Sequence, residues 1–180
     1  MDKSELRKRY RQERSLMNPT SLDLSSWHHI LTMPELIAAK VVASYFSYGD
    51  EPNTDLLNQE LIRMGKVLAL PRTLSNLNLE WIVWDGDQGK LVKNGKIKEP
   101  KGEVIDSDKI DFAIIPALHV TRDGYRLGQG GGSYDRALSG MRAFRISLIY
   151  PGEITNEPFP VETHDQKLNA VATPELIVRF

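Results

Sequence analysis

The 180-residue sequence contains no cysteine and carries a formal net charge of only -1. Without cysteine the chain forms no disulfide, no thiolate-ligated zinc or iron–sulfur site and no thiol nucleophile. A dedicated nucleic-acid-binding domain is usually strongly basic, which this chain is not. No segment approaches the roughly 18 apolar residues of a membrane span, and no apolar segment follows the charged amino terminus. These absences predict a cytoplasmic protein that binds neither nucleic acid nor a membrane.

Short apolar segments alternate with amphipathic ones along the chain. Helices are predicted from the opening residues to Met17, from the region 21–23 to Met33, from Asn53 or Thr54 to Met64, and over 134–138. Strands are predicted at 41–46, 67–70, 77–84, 112–116, 144–150 and 176–180, and a loop at 85–101. The length and a hydrophobic fraction of 41% predict one domain, residues 1–180. The alternation favours an α/β fold of three layers, with helices on both faces of a mostly parallel central sheet.

The opening helix is basic and has a narrow apolar stripe. Residues 1–14 contain six bases and three acids, so this segment is +3 within a nearly neutral chain. Leu6, Tyr10 and Met17 are spaced to lie on one face of a helix. Lys3 and Arg7 are one helical turn apart and can therefore point at the same anion.

Glycine is concentrated in one place, with five of the 13 glycines between residues 124 and 132. A glycine loop between a strand and a helix exposes backbone N–H groups that can bind phosphate. The spacing fits neither a dinucleotide-binding fingerprint nor a Walker A loop. A flexible surface turn is the alternative interpretation. Nearby Arg126, Asp135 and Arg136 favour a phosphate site, because they supply cations and a carboxylate for a metal ion.

The glycine segment, GYRLGQGGGSYDR at 124–136, resembles the hallmark of the 5-formyltetrahydrofolate cyclo-ligase family, Gly-x-Arg-Leu-Gly-x-Gly-x-Gly-Tyr-Tyr-Asp. Further elements are similar to the family's in the same order along nearly the whole chain. They are Lys3-x-x-Leu6-Arg7 with Arg14, Glu51-Pro52-Asn53-Thr54, Leu70-Pro71-Arg72, Ile97-Lys98-Glu99-Pro100 and Glu162-Thr163-His164-Asp165. The main departure is Ser133, where the family more often has a tyrosine.

The resemblance implies a mostly parallel sheet covered on both faces, and an enzyme that uses ATP and Mg²⁺ to cyclise 5-formyltetrahydrofolate. In the family's reaction the formyl oxygen attacks the γ-phosphate, N10 closes on the activated carbon, and phosphate leaves. The products are 5,10-methenyltetrahydrofolate, ADP and phosphate. The implied partners are ATP and a reduced folate, and we expect a monomer.

The resemblance also implies roles for individual residues. Arg126 and Tyr134 are expected to be catalytic, Glu51 and Tyr134 to bind the folate, and Asp135 to bind Mg²⁺. The nucleotide is expected to contact Lys3, Arg7, Arg72, Arg126, Gly128, Gln129, Gly130, Gly131, Gly132, Tyr134, Asp135 and Arg136. His164 and Asp165 either orient the substrate or support their loop.

Each role has a structural alternative at this stage. Lys3 and Arg7 fit a solvated basic face, Asp135 fits a carboxylate in a first helical turn, and Tyr134 fits a core aromatic. Glu51 and Arg72 also fit ordinary exposed charges. Ser133 is expected to cap the helix that follows, and it motivates a second hypothesis, a non-catalytic or differently specific relative that binds nucleotide or folate.

Overall fold

The structure, a computed structural model, describes residues 2–17, 24–157 and 159–180. The α-helices are α1 (Lys3–Leu16), α2 (His28–Leu31), α3 (Pro34–Ala38), α4 (Asp55–Arg63) and α5 (Ser133–Leu138). Short 3-10 helices span Leu24–Trp27, Gln88–Lys90 and Ser107–Lys109. Within these described ranges no helix is long and apolar enough to cross a membrane.

The strands are named β1 to β13 in chain order. They are β1 (Val41–Ala43), β2 (Val67–Thr73), β3 (Leu79–Trp84), β4 (Leu91–Asn94), β5 (Ile97–Pro100), β6 (Val104–Ile105), β7 (Phe112–Ile114), β8 (His119–Thr121), β9 (Arg126–Leu127), β10 (Phe144–Leu148), β11 (Ile154–Thr155), β12 (Ala170–Ala172) and β13 (Ile177–Arg179).

An eight-stranded sheet in the order β13-β12-β10-β7-β1-β2-β3-β6 forms the centre of the protein. The five neighbouring strands from β12 to β2 are parallel to one another. At one edge β13 pairs antiparallel with β12; at the other, β3 pairs antiparallel with β2, and β6 antiparallel with β3. This mixed sheet with a parallel centre confirms the predicted α/β class.

The strand order reverses between β1 and β7. From β1 the chain passes through α4 to β2 on one side, while β7 pairs with the other side of β1 and is followed outward by β10 and β12. In open α/β sheets such a reversal leaves a crevice at the carboxyl ends of the strands, and ligands bind there. The topology therefore indicates where to look for a site.

Both faces of the sheet are buried, because apolar residues point to each side of the central strands. One face packs against α2, α3 and α4, which contribute buried Ile30, Leu36 and Leu57. The other face packs against α5 through buried Leu138 and half-buried Tyr134. Strands covered in this way need near-continuous apolar sequence, which is what made β1, β2, β7 and β10 recognisable.

Two predicted elements differ from the structure. The predicted start of the second helix, residues 21–23, lies outside the described residues. The helical segment ends at Leu31 and not at the predicted Met33. Pro34 begins α3, because proline suits a first helical turn. The predicted loop at 85–101 is wrong, since β4 and β5 form a hairpin around Gly95 and Lys96. This hairpin is largely exposed, so its residues do not form an apolar pattern.

Helix α1 packs against a small three-stranded sheet, β11-β8-β9, through buried Leu6 and Tyr10. The predicted stripe is wrong at Met17, which is 44% exposed, because Arg14 takes the buried position instead. Arg14 donates from Nε and Nη2 to the Glu153 carboxylate over 2.7 Å each, and from Nη2 to the carbonyls of Ala117 and Leu118. A charged residue thus anchors the helix in the protein.

Candidate functional site

A cavity of about 620 Å³ lies in the crevice where the strand order reverses. Residues that follow β1 and β7, or that end β2, line one side of it, and α1 and the glycine loop line the other. The residues that line the cavity include Lys3, Arg7, Phe46, Tyr48, Glu51, Thr73, Lys98, Arg126, Gly128, Gln129, Gly130, Gly131, Gly132, Tyr134, Asp135, Arg136, Glu162, His164 and Asp165.

The glycine loop, residues 128–132, passes directly from β9 into α5. Gly130 has φ +115° and Gly132 has φ +65°, and residues with a Cβ rarely adopt these backbone conformations. A Cβ on Gly128 would lie 2.7 Å from Nη1 of Arg126. Glycine therefore suits the course of the loop at Gly130 and Gly132, and at Gly128 it lets Arg126 approach the loop closely.

Buried Arg126 and partly buried Asp135 form an ion pair at the base of the loop. Arg126 Nη2 donates to Asp135 Oδ1 over 2.9 Å, and the backbone N–H of Gln166 donates to the same oxygen over 3.3 Å. Burial lowers the pKa of Arg126 and the Asp135 carboxylate opposes this, so the guanidinium stays charged. Among the described residues, Asp135 Oδ2 accepts no hydrogen bond and Arg126 Nε has no partner. The pair thus keeps free capacity on both partners.

The first turns of α1 bring Lys3 and Arg7 to the same cavity. Arg7 donates from Nε to the Gly128 carbonyl over 2.9 Å, which leaves its two terminal nitrogens without a partner in the described part of the chain. Lys3 Nζ lies 2.6 Å from Asp165 and 3.0 Å from Glu162. Arg7 therefore both secures the loop and offers donors to a ligand, whereas Lys3 is held by two carboxylates.

Glu51 lies at the other side of the cavity, in the turn after β1. Its Oε1 accepts from Gln129 Nε2 over 3.3 Å and its Oε2 accepts from the Tyr48 backbone N–H over 3.2 Å. Burial raises the pKa of Glu51, and these hydrogen bonds act in the opposite direction. Both contacts are long, so the carboxylate can still accept hydrogen bonds from a ligand.

Tyr134 lines the cavity beside Arg126. Its ring packs edge-on against Trp81 at 6.4 Å between centroids, and the Arg126 guanidinium lies 5.7 Å from the ring. Burial raises the pKa of the Tyr134 phenol, and the charge of Glu51 adds to this rise. The phenol is therefore a neutral hydrogen-bonding group at physiological pH.

The structure corrects the prediction for Arg72. Because side chains alternate along β2, Pro71 and Thr73 line the cavity while Arg72 does not. Arg72 Nε instead donates to Glu80 on β3 over 2.7 Å. Arg72 therefore forms an ion pair with Glu80 across the two neighbouring strands.

Two residues beside the glycine loop have structural contacts that sequence did not predict. Arg136 lines the cavity, but it donates from Nε to Asn78 and from Nη2 to the carbonyls of Leu77 and Gly131. Ser133 is not the helix cap, because Gly132 occupies that position and no side chain caps the helix. Ser133 is the first helical residue and its side chain lines the cavity.

Sequence reasoning missed several residues of the cavity. Phe46 and Tyr48 follow β1 closely, where the position after a buried strand could have identified them. Lys98 comes from the hairpin taken for a loop, and its Nζ lies 6.0 Å from the Phe46 ring. Glu162 could have been grouped with Asp165 only once the contact of both with Lys3 was known.

The chain is similar to known proteins over most of its length. The model of the 5-formyltetrahydrofolate cyclo-ligase family matches residues 1–174. The 5-formyltetrahydrofolate cyclo-ligase of Escherichia coli (strain K12) is 34% identical over 157 residues, which cover 82% of this chain and 85% of that protein. The enzyme of the same name from Mycolicibacterium smegmatis (strain ATCC 700084 / mc(2)155) is 30% identical over 149 residues, 77% of this chain and 76% of that one.

A solved structure is similar over nearly its full length. The NMR structure of Aquifex aeolicus 5,10-methenyltetrahydrofolate synthetase superposes with a TM-score of 0.84 at 28% identity, covering 99% of this chain and 93% of that one. The family match, the relatives and the shared fold confirm the resemblance found in the sequence. The chain belongs to the 5-formyltetrahydrofolate cyclo-ligase family.

Proposed function

We propose that this protein converts 5-formyltetrahydrofolate and ATP into 5,10-methenyltetrahydrofolate, ADP and phosphate, with the formyl oxygen leaving in the phosphate. One observation carries the proposal: a single cavity contains a glycine loop flanked by arginines and, across from it, a largely buried carboxylate. The first group suits a triphosphate and the second suits the N–H groups of a pterin.

The nucleotide would bind at the glycine loop. Gly128 leaves room that a Cβ would fill, and Arg126 Nε is buried without a partner in the described residues, which supports an anionic ligand at this position. Arg7, Arg126 and the loop N–H groups would then neutralise and orient the phosphates. Lys3 would join them by exchanging part of its contact with Glu162 and Asp165 for phosphate oxygen.

Magnesium would bind at Asp135. The residues fit this ion, because Asp135 Oδ2 accepts no hydrogen bond in the described structure and faces the same cavity as the loop. The described residues contain no cluster of three or more His, Cys, Asp or Glu side chains that could hold a metal ion. Mg²⁺ does not need such a cluster, because it usually binds one or two carboxylates together with phosphate oxygens and water. Bound there, the ion would neutralise charge on the phosphates during transfer.

The folate would place its pterin against Glu51, with the carboxylate accepting two N–H bonds. Phe46 and Tyr134 supply aromatic surface on either side, and the neutral Tyr134 hydroxyl would orient the formyl group. Phosphoryl transfer needs the formyl oxygen in line with the γ-phosphate and little covalent help from the protein. The residues on both sides of the cavity would act mainly by holding the two substrates in this arrangement.

Residues 1–180 would form one cyclo-ligase-like domain, because one sheet contains strands from residue 41 to residue 179. A monomer would suffice, since the residues named for both substrates belong to one chain. The cytoplasmic location stays a prediction.

The test is turnover of purified protein with 5-formyltetrahydrofolate, ATP and Mg²⁺, followed by the ultraviolet absorbance of the methenyl product. We expect product only when all three are present. Glu51→Gln should raise KM for the folate by about tenfold or more, because a charged acceptor is lost. Asp50→Asn removes the same charge from the adjacent exposed residue and should leave KM near that of the wild type. Binding of both substrates without any product would overturn the proposal in favour of a non-catalytic relative.

A further inference from the structure

A chain of hydrogen bonds connects α1 to the proposed folate carboxylate. Arg11 Nε donates to Gln129 Oε1 over 2.9 Å, and Arg11 Nη2 donates to the Gln129 backbone carbonyl over 2.8 Å. The other end of the same side chain, Gln129 Nε2, donates to Glu51 Oε1 over 3.3 Å. Three residues from three separate parts of the sequence therefore form one row.

This row lies in a wall between two cavities. Tyr48, Glu51 and Gln129 line both the main cavity and a neighbouring one of about 700 Å³, which Arg11 also lines. Gln129 is thus held from the neighbouring side and acts on Glu51 at the side of the main cavity. Arg11 itself does not line the main cavity.

Arg11 determines which end of the Gln129 amide faces Glu51. A guanidinium only donates hydrogen bonds, so Gln129 must turn its oxygen toward Arg11 and its NH₂ group toward the carboxylate. If the amide were reversed, its oxygen would face the Glu51 carboxylate with no proton between them. The donated bond also favours the ionised form of Glu51, against the effect of burial.

We propose that Arg11 is a positioning residue that acts through Gln129 to orient Glu51 for folate binding. This inference rests on the proposed function, because it assigns Glu51 to the folate. Helix α1 would then serve both substrates. Its Arg7 would contact the nucleotide, and its Arg11 would orient the carboxylate that binds the folate.

The experiment measures the Kd of 5-formyltetrahydrofolate in the absence of ATP, together with KM for ATP, in Arg11→Met. We expect the Kd of the folate to rise roughly three- to tenfold, the effect of losing one ordinary hydrogen bond, with KM for ATP changed less than about twofold. Lys8→Met is the matched control, because it removes one exposed charge from the same helix and should change neither value.

A second background separates positioning from a general effect of charge. In Gln129→Leu, which cannot bridge Arg11 and Glu51, adding Arg11→Met should raise the folate Kd by less than about twofold more. The inference would be overturned if Arg11→Met raised the folate Kd by the same factor in both backgrounds, or by no more than Lys8→Met does. A larger change in KM for ATP than in the folate Kd would also overturn it. Folate binding without turnover would refute the proposed function alone, and absence of folate binding by the wild type would refute both.

Discussion

At the scale of single residues, burial controls the charge of Glu51. Burial raises its pKa, and the N–H donors of Tyr48 and Gln129 oppose this rise. Only the ionised carboxylate can accept two N–H bonds from a pterin. We therefore expect folate affinity to be highest above this raised pKa and to fall as the pH drops through it. The measurement is the Kd of 5-formyltetrahydrofolate against pH; Asp50→Asn should keep the acid limb and Glu51→Gln should lose it. An unchanged acid limb in Glu51→Gln would contradict the assignment.

Gly130 is the glycine whose conformation is hardest to replace. Its φ of +115° lies where L-residues are strained, so Gly130→Ala should move the loop N–H groups out of position. We expect the Kd of ATP, measured by titration calorimetry, to rise about tenfold. Gly140→Ala is the control, because Gly140 lacks a positive φ and a Cβ there meets no atom within 4 Å. Equal ATP affinity in both variants would show that the loop does not need this glycine.

At the scale of elements, α1 depends on the buried pair of Arg14 and Glu153. Replacing one partner leaves the other charge buried and unpaired, so Arg14→Met should lower the free energy of unfolding by about 3–5 kcal/mol. Urea unfolding measures this loss, with Lys8→Met as the control expected within about 0.5 kcal/mol of the wild type. A loss below about 1 kcal/mol would mean that the pair does not anchor the helix. Replacing both partners by apolar residues should cost less than the sum of the single changes.

The elements also show where sequence reasoning reached its end. The parallel strands β1, β2, β7 and β10 and helix α4 were predictable, because strands buried on both faces read as apolar runs and an amphipathic helix lies between two of them. The parallel strand β12 was missed, since its apolar run is only three residues long. The β4–β5 hairpin was not, since its exposed residues follow no apolar period. Arg72 was assigned from its place after a strand, but β2 continues to Thr73 and its alternation turns Arg72 away from the cavity. Arg14 could have been noticed as a charged residue at a position expected to be apolar, four residues after Tyr10.

At the scale of the whole molecule, the stability of the fold should depend on a neutral histidine. His119 stacks on Tyr10 with 3.5 Å between ring centroids, and burial lowers its pKa to about 4, with Arg14 and Arg9 acting in the same direction. Below the ordinary value of 6.5 the unfolded chain binds a proton that the folded chain does not. The stabilising contribution is therefore complete above pH 6.5 and is lost as the pH falls toward about 4.

His119→Phe keeps a ring at this position and removes the titration. We expect its free energy of unfolding to fall less steeply than that of the wild type across this pH window, as measured by urea unfolding at several pH values. His28→Gln changes an exposed histidine and should leave the slope unchanged. Parallel pH profiles for His119→Phe and the wild type would contradict the role of His119.

The near-neutral total charge of the whole molecule conceals a local separation that the site uses. The basic α1 and the arginine beside the glycine loop line one cavity, although they are more than a hundred residues apart in sequence. The residue types at the cavity were largely predictable from the resemblance, whereas their pairing with Asp165, Glu162 and Gln129 depends on tertiary contacts that no local pattern encodes.

In the proposed reaction, the formyl oxygen is phosphorylated before the folate ring closes. The most direct test uses 5-formyltetrahydrofolate labelled with ¹⁸O in the formyl group, turned over with ATP and Mg²⁺, and mass analysis of the phosphate released. Transfer of the γ-phosphoryl group to this oxygen, followed by closure of N10 on the carbon, places the label in phosphate. We therefore predict ¹⁸O-labelled phosphate in step with the methenyl product; unlabelled phosphate, or no product from protein that binds both substrates, would contradict this mechanism.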